Sequence, residues 1–229
     1  MLLTTLRRRA APAFQSISSR RLVSTLSSNP HIKVFPSTGL HNNHVLTYLD
    51  TSPPSTELAI GTSTEDPPTT RSFSENKNFL SILYDVLSKH AAQDPLLQSQ
   101  AQAFAGPGGA TLGSGGLFAA PQQSKRRRGQ ASGGGAGGAS AQGGAGGAGV
   151  GGHVHLSDLR NPPDYGRIAW PEDILGSVEV DGHGVIVGEF QPSGTYRLLT
   201  NEGILGLSDF MRAKLVERLK EEEEKTKAR

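Results

Sequence analysis

Residues 193–219 read SGTYRLLTNEGILGLSDFMRAKLVERL. Gly194–Ser208 predicts a strand, an Asn-Glu-Gly turn and a second short apolar piece. Ser208 then sits where a helix N-cap belongs, because its hydroxyl can accept from an otherwise unpaired backbone N–H. Leu207, Met211, Leu215 and Leu219 fall four apart, with Phe210 and Val216 beside them. That spacing predicts an amphipathic helix running to about Glu224. Phe210, Met211, Leu215 and Leu219 are therefore its core face or a docking face. The acidic run Glu221–Glu224, followed by Lys225 and Lys227, reads as a solvated end whose lysines complement the helix dipole.

Upstream, GSVEVDGHGVIVGEF (176–190) predicts two strands around the hairpin signal Asp181-Gly182-His183-Gly184. HVHLSD (153–158) predicts a short strand. LRNPPDYGRIAWPED (159–173) is turn-rich and carries Trp170, the only tryptophan of the chain. The segment 26–105 repeats the order of strands then helix. HIKVF (31–35), HVLTYLD (44–50) and ELAIGT (57–62) are strand candidates. Ser74 is the expected N-cap of a helix that places Phe79, Leu80, Leu83, Val86, Leu87 and His90 on one face. Asp94-Pro95 interrupts it, and LLQSQAQAF predicts a shorter helix beyond the break.

Between these halves, residues 106–152 contain 19 glycines. Such a composition cannot bury enough apolar surface to offset backbone entropy, so a disordered Gly/Ala/Ser-rich linker is expected. The fold class is α+β: small antiparallel sheets, one helix in the N-terminal half and one at the C-terminus, interrupted by the linker. Each half, 26–105 and 153–229, is small for an independent core. The expectation is that they pack together while the linker loops out; two independent small domains is the alternative.

The chain has 23 basic and 21 acidic residues. Residues 1–25 hold Arg7, Arg8, Arg9, Arg20 and Arg21 and no acid, in a Ser-rich stretch with apolar residues at roughly helical spacing. This is the pattern of a mitochondrial transit peptide. A cationic helix is driven inward by about 2.3 kcal/mol per charge per 100 mV. Cleavage is expected between Arg21 and Leu26. Without residues 1–25 the balance is 18 basic against 21 acidic. The basic character therefore belongs largely to the leader and is no sign of nucleic-acid binding. There is no cysteine, which excludes disulfides, zinc-thiolate sites and thiol catalysis. No run of 18 apolar residues exists, so no transmembrane span is expected.

Motifs for chemistry are weak. His153-Val154-His155 would put two imidazoles on one face of a strand, with His183, Asp158 or Asp181 as a third metal ligand. The glycines of 182–194 match no phosphate-binding loop. Ser193 lies outside any nucleophile elbow. Glu172, Asp173, Glu179 and Glu189 show no paired spacing for acid/base work. Lys125, Arg126, Arg127 and Arg128 form the densest charge cluster, suited to RNA phosphates or an acidic partner. No stacking platform for bases accompanies it.

NPPDYGRIAWPEDILGSVEVDG (161–182) and FQPSGTYRLLTNEGILGLSDFMRAKLVERL (190–219), preceded by a Gly-rich tract, resemble a group of uncharacterised fungal mitochondrial proteins. The resemblance covers mainly residues 153–220. It implies a mitochondrial location and brings no activity, cofactor or catalytic residue. The expectation is a soluble matrix protein without a cofactor, acting as a non-catalytic accessory or assembly factor that binds other mitochondrial proteins. One alternative is a factor of the mitochondrial ribosome or RNA using Lys125–Arg128. The other is a small metal-dependent enzyme using His153, His155 and His183.

Overall fold

The computed structural model describes residues 23–36, 43–105, 151–164 and 167–228. The cluster Lys125–Arg128 and the arginines of residues 1–22 lie outside them. The fold is α+β, with antiparallel sheets, helices between residues 77 and 105, and a C-terminal helix.

The first sheet is a five-stranded antiparallel meander in chain order. Its strands are β1 (Ser24–Thr25), β2 (Lys33–Pro36), β3 (His44–Thr47), β4 (Gly61–Ser63) and β5 (Phe73–Glu75). Val34 pairs with Leu46 and Phe35 with Val45. Side chains alternate between sheet faces, so Val34 and Leu46 enter the main core while Phe35 and Val45 join Ala59 in a small second cluster. The expected strand 57–62 is displaced: only Gly61–Ser63 are strand, although Leu58, Ala59 and Ile60 are buried. β5 takes up Ser74, the residue expected to cap the first helix. β5 approaches β4 closely, and a Cβ on Gly61 would lie 2.4 Å from the Ser74 carbonyl. Asn76 caps α1 (Lys77–His90) instead, its Oδ1 accepting from Asn78 N–H at 3.0 Å. The Asn76 amide also donates to the carbonyls of Glu57 and Ala59, which fixes the helix to the loop before β4.

After the Asp94-Pro95 break comes α2 (Pro95–Ala105). β6 (Gly152–Ser157), β7 (Ile174–Val180) and β8 (Gln191–Pro192) form a three-stranded antiparallel sheet with β7 in the middle. A Cβ on Gly152 would meet the Phe104 ring at 2.6 Å. The end of α2 and the start of β6 therefore touch, and residues 106–150 connect two points that lie side by side. The hairpin expected at 181–184 forms a turn, with Asp181 Oδ1 accepting from the N–H groups of His183 and Val185. Gly184 adopts φ +80° with the Ala101 carbonyl 2.8 Å from where a Cβ would sit, which leaves room for glycine alone. Its second arm is not a full strand. Val187 and Gly188 both donate to the Glu179 carbonyl, so the ladder bulges there.

β9 (Leu199–Thr200) and β10 (Gly203–Ile204) make a two-residue hairpin leading to α3 (Asp209–Lys227). Ser208 caps α3, accepting from Met211 N–H at 3.2 Å. Met211, Leu215 and Leu219 are buried, and Phe210 packs against the same core. One hydrophobic cluster joins Leu46, Ile60, Phe79 and Leu83 to Val154, Leu175, Leu198 and Leu215. Both chain segments thus contribute to a single core.

Candidate functional site

A buried ionic group lies at the base of the loops between β6 and β7. Asp158 follows β6 at the inward parity of Val154 and Leu156, and its side chain is fully buried. Its Oδ1 accepts from the N–H groups of Arg160 and Gly206, both at 2.8 Å. Its Oδ2 accepts from the Tyr196 hydroxyl at 2.7 Å. The Arg160 side chain is 2% exposed and donates through Nε to Asp173 Oδ1 at 2.7 Å. Its terminal nitrogens donate to the carbonyls of Leu198 at 3.1 Å and Glu172 at 2.8 Å. The guanidinium carbon also stands 5.4 Å from the centre of the Tyr196 ring. Burial raises the Asp158 carboxyl above the usual carboxylate range, against the pull of Arg160 and the three hydrogen bonds. Burial, and then the Asp158 charge, raise the Tyr196 phenol well above its ordinary value. Every polar group of this node is directed at another part of the chain. It ties the start of the 159–173 loop to the 194–206 segment.

That tie hangs an exposed surface from a fixed backbone. The Glu172 carbonyl accepts from both Arg160 and Arg197 N–H, and the Pro171 carbonyl accepts from the Thr195 hydroxyl at 2.7 Å. The Trp170 carbonyl accepts from Asp173 N–H at 2.8 Å. Trp170 itself stands 69% exposed, the most exposed of the large apolar residues described. On one side it borders an open cleft of about 720 Å³ lined by Glu75, Pro171, Glu172, Gly194, Thr195, Tyr196 and Arg197 as well. On the other it borders a depression of about 270 Å³ that includes Pro162, Pro163 and Ile168. Glu75, from the end of β5, reaches the cleft with Oε1 accepting from Leu198 N–H at 3.0 Å. The site therefore draws on both chain segments.

The other candidates fall elsewhere. β6 sets His153 and His155 on its outer face, and His155 Nδ1 lies 2.9 Å from Ser177 Oγ. Burial, and then the neighbouring His153, lower the His155 imidazole below its ordinary value. His183 is exposed in the turn after β7. Among the described residues no group of three His, Asp or Glu is gathered to hold a metal ion. Nor is any described helix long and apolar enough to cross a membrane. Arg160 carries no local signal in the sequence, and Glu75 reads there as a first-turn residue of the first helix, whereas it ends β5. Asp158 carried a signal, since it continues the inward alternation of Val154 and Leu156.

The chain matches no family model, no curated protein and no solved structure.

Proposed function

We propose that this chain is a non-catalytic mitochondrial accessory factor that holds another protein at the Trp170 surface. The observation that carries the reading is the exposed indole, fixed on an anchored backbone between two depressions. A large apolar ring kept in water gains by being covered, at roughly 25 cal/mol per Å². Tryptophan is also enriched among the few interface residues that dominate binding. The acid-free, Arg- and Ser-rich leader supports the location.

Sedimentation of a lysate from purified mitochondria, with and without RNase, tests this. The wild-type chain is expected in a heavy species indifferent to RNase. Trp170→Ala is expected to return it to the size of the free chain while leaving its circular dichroism unchanged. A heavy species that collapses with RNase would favour an RNA-bound factor instead. A heavy species unaffected by Trp170→Ala would remove Trp170 from the interaction.

A further inference from the structure

The cleft beside Trp170 has a charge pattern that narrows what it takes. Glu75 and Glu172 contribute two carboxylates and Arg197 one guanidinium, so its formal balance is negative. Glu172 and Arg197 are both exposed, and among the described residues no salt bridge joins their side chains. The face of an exposed indole adds negative quadrupole potential, which attracts a cation over an anion. A planar guanidinium satisfies both features at once, since it stacks on an aromatic ring and donates to a carboxylate in a fork. The cleft is open, which suits a chain passing through it, and its floor is backbone already hydrogen-bonded within the fold.

We infer that the Trp170 cleft receives an extended segment of the partner protein through an arginine side chain, stacked on Trp170 and paired with Glu172 and Glu75. This rests on the protein-binding reading above and adds the chemistry of the partner. Arg197 lies on the same cleft and disfavours a second cation, which sets the number of basic residues accepted close together.

Trp170 is the only tryptophan, so its emission reports the cleft in the full-length chain. The probes are a capped pentapeptide with one arginine and its counterpart with one glutamate. The arginine peptide is expected to shift the emission saturably, and the glutamate peptide to leave it unchanged. Glu172→Gln is expected to weaken the arginine peptide about five- to tenfold, on the scale of one charge-assisted contact. Arg197→Gln is expected to tighten it. A Cβ at Gly194 meets nothing within 4 Å. Gly194 lines the cleft, so Gly194→Phe puts a ring into that open space and is expected to abolish the shift, independently of any charge change.

An equal response to the glutamate peptide, or weakening by Arg197→Gln, would overturn the proposal in favour of an anion site. No response to either peptide would overturn it outright. Binding that emerges only after Lys125, Arg126, Arg127 and Arg128 are changed to glutamine would mean the chain fills its own cleft, and the partner proposal would fall. If the peptide fails while the Trp170-dependent heavy species persists, the arginine chemistry is wrong and the protein-binding reading stands. If Trp170→Ala also leaves the heavy species intact, both fail.

Discussion

Arg160→Met is expected to destabilise the fold by about 3–5 kcal/mol, the usual cost of removing one partner from a buried ion pair. The magnitude follows from what remains. Asp158 and Asp173 would stay 0% and 1% exposed without the cation between them, and the carbonyls of Leu198 and Glu172 would lose a donor. Against a typical domain stability of about 5–15 kcal/mol, that is a large fraction. The pH dependence has a definite sign. The folded state holds the Asp158 carboxyl above its unfolded value of about 3.9, so between the two values the folded chain binds more proton than the unfolded one. Stability from this group is therefore present below the unfolded value and lost as pH rises through the folded value. Losing the Arg160 charge raises the carboxyl further. The deficit of Arg160→Met should thus shrink on acidification from neutral toward about pH 4. Urea unfolding of variant and wild type at several pH values measures it. A deficit under about 1 kcal/mol at neutral pH, or one that grows with acidification, would contradict the assignment. Changing Asp158→Asn, Arg160→Met and Asp173→Asn together should recover much of the loss, because a neutral buried group lacks the unpaired charge.

Phe79→Ala is expected to cost about 3–5 kcal/mol, the range for emptying an aromatic site in a core. Phe79 is 0% exposed and stacks near Tyr48 with ring centres 6.5 Å apart. Its cluster also contains Leu198, Met211 and Leu215, from the far side of residues 106–150. The loss should therefore reach the C-terminal segment. Trp170 emission, reporting that segment, should shift its urea midpoint together with far-ultraviolet circular dichroism, since one cooperative unit gives coincident transitions. A Trp170 midpoint left at the wild-type value would mean two separately folding halves.

How much of this was legible depends on the length of the signal. α3 and its Ser208 cap were readable because four apolar residues at spacing four precede any tertiary information. α1 was readable for the same reason, but its start was not. Phe73–Glu75 form a strand of three residues, too short for period-two alternation to show, so Ser74 looked like a cap. β1, Ser24–Thr25, falls inside the stretch 1–25 that reads as a leader, and Gly188 broke the second arm of the 181–184 hairpin. In the site, Trp170 was visible as a residue but its exposure was not. That exposure depends on Arg160 and Thr195 holding the Glu172 and Pro171 carbonyls, contacts that cross 12 and 24 positions of sequence. The meeting of Glu75 with Leu198 spans 123 positions and leaves no local trace.

The most direct measurement places a photo-cross-linking amino acid at position 197, which lines the cleft and leaves Trp170 in place, of the full-length chain in intact mitochondria. A second chain carries it at Glu202, an exposed position that does not line the cleft. A discrete protein adduct is expected from position 197 and none from position 202. No adduct from position 197, or the same adducts from both positions, would contradict a partner held at the Trp170 surface.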